Sequence, residues 1–286
     1  MLGAPAQCLW QHPQIKMAKR KEMHFFGSDL VNPAFVRNIE DYLSYFGEIE
    51  GRPIVGEASV SYLYSKLAAS EIYEFNPRAK IIIMLRNPIE VLRSLHSQLL
   101  WNGMEDVEDF KLAISLENER AIGKSLPLHC KAPFNLMYLD RVLFYKQIKR
   151  YFEVFPADQI HTIFYDDFSR DVAKVCEKCF DFLDVDSRFN PIFSVVNPNK
   201  VVRSKIISNV MKNQREWVRV MSHIILSNEH RHSLRRFVRR LNTKKSRKSA
   251  IEFSFQRELS ELVRDDVIKL GEFMDRDLSG WLEPRR

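Results

Sequence analysis

The feature that most constrains the fold is an unbroken apolar run over 81–85, within a predicted strand over 80–85 that is followed at once by Arg86-Asn87-Pro88. A run of this length without polar alternation is typical of a strand buried on both faces. Pro88 suits the first turn of a helix, where its missing N–H costs nothing. Helical spacing follows, with apolar residues on one face at Ile89, Leu92, Leu95 and Leu99. The sequence therefore predicts a strand, a turn and a helix, the repeating unit of a parallel α/β sheet.

Other segments extend this pattern along the chain. Strands are predicted over 53–58 and 159–165, and amphipathic helices over 139–152 and 171–183. The C-terminal third shows helical spacing over 205–226 and 254–274. We therefore predict the α/β class: a single domain with a central parallel sheet flanked by helices, and helical C-terminal additions. Residues 1–205 are expected to form the core, and 206–286 a helical, basic extension packed on it.

Composition indicates a globular protein, since 45% of the residues are hydrophobic and 28% are charged. No apolar stretch has the length of a membrane span, and no apolar leader precedes the first lysines. Four cysteines in 286 residues do not predict a disulfide framework. Cys176-Glu177-Lys178-Cys179 lacks a second pair at zinc-ligand spacing, so we expect two buried thiols on a helix and no metal site. Together these features predict a cytoplasmic location.

The net charge of +7 favours anionic partners. Much of the excess lies in the segment 231–248, here called the basic segment. The simplest interpretation is a solvated surface, and the alternative is contact with an acidic acceptor or an anionic membrane surface. The segment contains no nucleic-acid recognition motif, so no nucleic-acid partner is expected.

The turn after the central strand is a candidate phosphate site. Helix N-termini attract anions through free N–H groups and the helix dipole. Arg86 is placed to offer a guanidinium there, and Ser94, two helical turns later, can add a hydroxyl. The alternative is a surface arginine and an ordinary helical serine.

These residues resemble a known family. Leu85-Arg86-Asn87-Pro88 followed by Ser94 is similar to the 3′-phosphate-binding element of sulfotransferases that use 3′-phosphoadenosine 5′-phosphosulfate (PAPS). Lys21-Glu22-Met23-His24-Phe25-Phe26, the segment 56–63 and the segment 197–203 also resemble parts of that family. The resemblance covers roughly residues 3–205, closest to the bacterial and heparan-sulfate-type branch. It implies a P-loop-NTPase-like fold, PAPS as co-substrate without a metal, and transfer to a hydroxyl or amine of a saccharide or similar small or lipid-linked acceptor.

The resemblance also implies residue roles. Glu22 corresponds to the base that takes the acceptor proton, Lys21 to a contact with the substrate or the sulfuryl group, and His24 to an alternative base. Each has a plainer reading, a surface ion pair for Glu22 and Lys21 and a histidine at the core edge. The remaining implied contacts are Glu57 and Ser59 with the acceptor, and Arg86, Ser94, Lys200 and Arg203 with the 3′-phosphate.

The family's 5′-phosphosulfate loop, Gly-x-x-Lys-x-Gly-Thr-Thr, is degenerate or truncated here. Gly3-Ala4-Pro5 matches its opening, but Ala6 stands at the lysine position and the paired hydroxyl residues are absent. The lysine, the amide cradle and the following helix are therefore expected to be damaged, and one lost donor of this kind costs about 10²–10³ in rate. Three explanations stay open: another lysine (Lys16, Lys19 or Lys21) substitutes, the gene start or reading frame is misassigned, or the chain is an impaired relic or non-enzymatic module that binds 3′-phosphoadenosine nucleotides or polyanions.

Overall fold

The computed structural model describes residues 4–49, 51–128, 130–192, 200–202, 243–245 and 252–284. For 4–6, 200–202 and 243–245 only the backbone is described. The predicted helix over 205–226 lies outside these residues, as does the basic segment apart from the backbone of 243–245. Among the described residues, no helix combines the length and apolarity needed to cross a membrane. The cytoplasmic location stays a prediction.

Four strands form two parallel pairs. Strand β1 (Ile15–Met17) pairs with β2 (Ile54–Gly56), and β3 (Ile81–Leu85) pairs with β4 (Ile160–Phe164). The three predicted strands are thus confirmed as β2, β3 and β4, with their parallel direction. Strand β1 was not predicted, because three residues are too few to show a period. The antiparallel pair β5 (Lys200–Val202) and β6 (Thr243–Lys245) was not predicted either.

Ten α-helices are described in these parts of the chain. They are α1 (Ala4–Gln11), α2 (Ile39–Ser44), α3 (Ala68–Phe75), α4 (Pro88–Asn102), α5 (Phe110–Ser115), α6 (Glu117–Ala121), α7 (Phe144–Val154), α8 (Tyr165–Arg170), α9 (Val172–Phe182) and α10 (Phe253–Phe273). Short 3₁₀ turns occur at Pro133–Leu136, Asp140–Val142, Ala157–Gln159 and Ser279–Trp281. The helix predicted over 139–152 begins later, at Phe144, because Leu143 has a ψ of 79° that interrupts the helical path.

The main core lies between β3 and the helices α4, α7 and α10. Leu85, Leu92, Ile148, Leu259 and Val263 are completely inaccessible to solvent there. Since α10 contributes two of these side chains, the predicted C-terminal helix is an integral part of the core. Burial of such apolar side chains is the main favourable contribution to folding.

A fully buried ion pair lies beside this core. Arg120 donates to both carboxylate oxygens of Glu105, at 2.7 and 2.9 Å, and the Tyr138 hydroxyl donates to Glu105 at 2.8 Å. Both charged side chains are wholly inaccessible. The two-pronged contact and the tyrosine satisfy a carboxylate that would otherwise be costly to bury.

The expectation of unpaired cysteines is wrong for one pair. Cys8 on α1 and Cys176 on α9 form a disulfide, across 168 positions of sequence. Cys179 is a free, buried thiol as expected, and Cys130 is free and half-buried. The spacing within the Cys176–Cys179 motif could not reveal this bond, because the partner comes from a distant helix that packs on the same apolar cluster.

Candidate functional site

A loop after β1 brings Glu22 and His24 together. His24 Nε2 lies 3.0 Å from Glu22 Oε2, and the Val60 N–H donates to the same oxygen at 3.0 Å. Both residues have left-handed backbones, with φ of 56° at Glu22 and 50° at His24. This conformation is uncommon outside glycine and often occurs at functional sites. The loop therefore turns two predicted site residues toward each other.

The surroundings of Glu22 favour its ionised form. Burial raises the pKa of Glu22, but the hydrogen bonds from His24 and from the Val60 N–H more than offset it, so the pKa lies below the ordinary value. Glu22 is therefore a carboxylate at neutral pH, with His24 as its hydrogen-bond donor. The alternative of a surface ion pair between Glu22 and Lys21 is wrong, since the Glu22 carboxylate is paired with His24.

Glu57 and Ser59 lie directly after β2, beside this loop. Glu57 Oε2 accepts from the Ser59 hydroxyl at 2.9 Å, and its other oxygen accepts from the Tyr62 hydroxyl. Ser59 Oγ accepts a hydrogen bond from the backbone N–H of His24 at 3.0 Å, and this bond connects the two loops. Four predicted site residues, Glu22, His24, Glu57 and Ser59, thus form one connected group.

The pKa of Glu57 moves in the opposite direction to that of Glu22. Burial raises the pKa of Glu57, and the hydrogen bonds from Tyr62 and Ser59 offset this only in part. Neighbouring carboxyl groups with divergent pKa values are typical of acid–base sites. Glu22 is ionised over the wider pH range of the two, and a carboxyl group can accept a proton only in its ionised form.

Lys21 lies apart from the carboxylates. It is exposed, and its Nζ lies 4.1 Å from the ring centroid of Trp10 on α1, in cation–π geometry. Its predicted contact with the substrate or the sulfuryl group therefore stays a prediction, now placed beside α1.

The turn after β3 is ordered by Asn87. Its Oδ1 accepts from the N–H groups of Ile89 and Glu90, at 2.9 and 3.3 Å, and so caps α4. Its Nδ2 donates to the Trp281 carbonyl at 3.0 Å. The asparagine side chain thus already accepts from two of the first-turn N–H groups of α4, and the predicted phosphate site at this turn stays a prediction.

Arg86 is held by two neighbours. Its Nε and Nη2 donate to Glu90 Oε2 at 2.7 and 2.5 Å, and its guanidinium carbon lies 4.3 Å from the centroid of the Tyr165 ring. The side chain is about one-fifth exposed. Sequence reasoning missed Glu90 and Tyr165, although Tyr165 comes directly after β4, where ligands bind in open parallel sheets.

Ser94, Lys200 and Arg203 are the other residues predicted to contact the nucleotide. Ser94 is half-buried on α4, two turns beyond Arg86. Lys200 begins β5, whose backbone packs against α4, but its side chain is outside the described residues, as is all of Arg203. The predicted roles of these three residues stay predictions.

A helix, α1, occupies the region of the degenerate 5′ loop. Ala4, Pro5 and Ala6 form the first turn of α1, and Gly3 lies outside the described residues. The helix packs against β1 and α9, and the Cys8–Cys176 disulfide joins it to α9.

A family model, a curated relative and a solved structure that are similar to this chain are all sulfotransferases. Residues 67–272 match the family described as "Sulfotransferase domain". The chain is 22% identical, over 251 residues, to the membrane-associated sulfotransferase kil1 of Dictyostelium discoideum, an alignment that covers 62% of this chain and 52% of that relative. The chain thus spans about half the length of this curated relative. A crystal structure of a sulfotransferase from Alicyclobacillus acidocaldarius superposes with a TM-score of 0.71 at 26% identity, covering 98% of this chain and 93% of the other.

Proposed function

Since the chain belongs to the sulfotransferase domain family, we propose that it transfers a sulfuryl group from PAPS to the hydroxyl or amine of an acceptor, with Glu22 as the base. The observation that carries this proposal is the Glu22 carboxylate itself. It is ionised, fixed by His24 and the Val60 N–H, and adjacent to the Glu57–Ser59 loop. Such a group is ready to take a proton without rearrangement.

In the proposed transfer step, one bond to sulfur forms as another breaks, and Glu22 takes up the proton that is released. The acceptor oxygen forms a bond to sulfur while the bond from sulfur to the 5′-phosphate oxygen breaks, which releases 3′-phosphoadenosine 5′-phosphate. The acceptor proton passes to Glu22. His24 keeps its N–H on the carboxylate and aligns it, and the proton then leaves to solvent through the exposed part of Glu22. The chemistry resembles phosphoryl transfer, in which positioning and electrostatic stabilisation dominate.

The 3′-phosphate is proposed to bind at the turn after β3. Arg86 would exchange the Glu90 carboxylate for the phosphate while keeping its contact with Tyr165. Ser94, Lys200 and Arg203 would complete the contacts, and the packing of β5 against α4 supports this arrangement.

Lys21 is the best candidate to replace the missing lysine of the 5′ loop. Its ammonium lies over Trp10 of α1, the helix whose first turn includes Ala6 at the lysine position of the loop. Lys19 instead places its Nζ near Gly47, away from α1. A cation beside α1 would offset the charge that builds up on the leaving phosphate.

The proposed acceptor is a saccharide or a similar small or lipid-linked molecule. Support comes from the open loops after β1 and β2, where Glu57, Ser59 and Tyr62 provide polar groups. The basic segment is proposed to assist with an acidic acceptor or an anionic surface.

The test is transfer from radiolabelled PAPS to a panel of saccharide and phenol acceptors. Glu22→Gln should lower kcat by about 10²–10⁴, the usual contribution of a general base, and leave binding of the desulfated nucleotide unchanged. Glu40→Gln, an exposed carboxyl on α2, is the matched control. Equal rates for Glu22→Gln and the wild type would contradict the assignment of the base. Nucleotide binding without transfer to any acceptor would favour a non-enzymatic binding module.

A further inference from the structure

Four side-chain nitrogen or oxygen atoms among the described residues are buried without a hydrogen-bond partner. They are His24 Nδ1, Arg141 Nη1, Arg150 Nε and Thr162 Oγ1. Such groups are rare in native proteins, because each loses its bonds to water and gains nothing in exchange. His24 and Arg141 both lie next to Glu22. A ligand bound there could form hydrogen bonds with His24 Nδ1 and Arg141 Nη1.

Arg141 is the more unusual of the two. It lies in the 3₁₀ turn Asp140–Val142, and its guanidinium carbon is 4.9 Å from the ring centroid of Tyr64 and 5.8 Å from that of Phe134. Within the described part of the chain no carboxylate lies at ion-pair distance from it. The adjacent Asp140 carboxylate instead accepts from the Tyr64 hydroxyl at 2.6 Å. Burial lowers the pKa of Arg141 to about 10, even though Tyr64, Glu22 and Asp140 favour its charged form.

A comparison inside the same protein shows what is missing. Arg120, which is fully buried, has a two-pronged carboxylate partner in Glu105 and a further bond to the Ser125 carbonyl. Arg141 is half-buried with its Nη1 fully buried, and among the described residues its guanidinium contacts only aromatic faces. Buried guanidinium groups are normally paired, since an uncompensated buried charge is costly. The site around Arg141 therefore lacks, among the described residues, the anionic partner that Glu105 provides for Arg120.

Aromatic rings connect Arg141 to the proposed base. The His24 ring lies 4.3 Å from the Phe35 ring, Phe35 lies 6.1 Å from Phe134, and Phe134 stacks on Tyr64 at 6.4 Å. His24 and Arg141 thus lie at the two ends of one row of rings, with Glu22 beside His24. An acceptor whose hydroxyl reaches Glu22 would extend along this row toward the guanidinium.

We infer that Arg141 binds an anionic substituent of the acceptor, a carboxylate or a sulfate ester, and so selects acidic acceptors. This inference rests on the proposed function, because it concerns the acceptor side of the same site. A planar carboxylate or a sulfate group matches the guanidinium fork and would satisfy the orphaned Nη1 donor. Arg141 is a specificity residue and takes no part in proton transfer.

The experiment measures acceptor binding by calorimetry, with the protein saturated with 3′-phosphoadenosine 5′-phosphate. The probes are para-nitrophenyl β-glucuronide, the neutral para-nitrophenyl β-glucoside, and the same glucoside carrying a sulfate ester. The variants are Arg141→Met, which keeps length without charge, and Arg141→Lys, which keeps charge without the fork. Arg264→Met, at a half-exposed arginine of α10, is the control.

The wild type and Arg264→Met should bind an acidic probe about tenfold or more tightly than the neutral glucoside, the worth of a charge-assisted hydrogen bond. The carboxylate and sulfate probes identify which anion fits better. In Arg141→Met the preference should disappear, and in Arg141→Lys it should shrink. The unliganded Arg141→Met protein should also melt no earlier than the wild type, because an unpaired buried charge has been removed.

Equal binding of acidic and neutral probes by the wild type would overturn the inference, as would a preference that survives in Arg141→Met. A lower melting temperature of Arg141→Met with the preference intact would assign Arg141 a purely structural role. Failure of the proposed function itself is recognised separately, since the wild type would then either not bind the desulfated nucleotide or bind it without transferring the sulfuryl group from PAPS to any acceptor.

Discussion

The guanidinium of Arg86 lies 4.3 Å from the ring centroid of Tyr165. The two residues directly follow Leu85 and Phe164, which are partners in the parallel register of β3 and β4. Because parallel strands end at the same edge, the register itself brings arginine and tyrosine side by side. A cation–π contact of this kind contributes about 0.5–2 kcal/mol, and it orients Arg86 before any nucleotide binds.

Replacing Arg86 by alanine should weaken binding of 3′-phosphoadenosine 5′-phosphate by about 1.5–3 kcal/mol, the worth of a charge-assisted hydrogen bond. Titration calorimetry measures this. Arg78→Ala, at an exposed position before β3, should leave the affinity unchanged. An affinity for Arg86→Ala equal to that of the wild type would remove Arg86 from the nucleotide site.

His24→Asn should move the acid limb of the pH–rate profile to higher pH. The hydrogen bond from His24 helps to hold the pKa of Glu22 below its ordinary value, so losing it raises that pKa. A base works only when ionised, so activity should then begin to fall at a higher pH as the solution is acidified. Asparagine tolerates the left-handed backbone at this position but is too short to reach Glu22. The measurement is kcat/KM against pH; an unmoved acid limb would mean that His24 does not tune Glu22.

Glu105→Gln should destabilise the fold by about 3–5 kcal/mol, because it leaves the Arg120 charge buried without compensation. Urea unfolding measures the effect. The double variant Glu105→Gln with Arg120→Met should recover much of the loss. Glu258→Gln, which breaks the exposed pair with Lys111, should cost far less, because exposed ion pairs contribute little to stability. A loss for Glu105→Gln as small as that of Glu258→Gln would contradict the importance of this pair.

The same pair predicts a pH dependence of stability. Burial raises the pKa of Glu105, but the hydrogen bonds from Arg120, the Val107 N–H and Tyr138 lower it by more than burial raises it. The pKa of Glu105 in the folded protein is therefore below its ordinary value. Its contribution to stability is therefore complete above the unfolded pKa of about 4.3 and is lost as the pH falls through the lower folded pKa. The free energy of unfolding should therefore fall more steeply on acidification below about pH 4 in the wild type than in the double variant.

Cys8→Ser should destabilise the oxidised protein by about 2–5 kcal/mol, since it opens a covalent link across most of the chain. A reducing agent should remove most of the difference from the wild type, and Cys130→Ser should have little effect under either condition. Maleimide labelling of the denatured, unreduced protein should detect two thiols, Cys130 and Cys179. Labelling of all four cysteines would show that the disulfide is absent.

The sequence by itself determined the elements whose cause is local. The apolar run of β3, Pro88 at the start of α4 and the apolar face of α10 can be identified because period and turn chemistry act over a few residues. The placement of Glu57 and Ser59 directly after a strand also follows from the predicted strand over 53–58. Short strands such as β1 cannot be predicted in this way, since three residues are too few to show a hydrophobic period.

Only the tertiary structure decided which distant groups meet. Cys176 is bonded to Cys8, Arg86 contacts Tyr165, and Arg141 lies near Glu22 with no carboxylate at ion-pair distance in the part of the chain that the structure describes. None of these pairs has a sequence signature, because each joins segments that approach through strand register or helix packing. Electrostatic consequences such as the opposite pKa directions of Glu22 and Glu57 arise from burial and hydrogen bonds, which exist only once the loops after β1 and β2 have packed together.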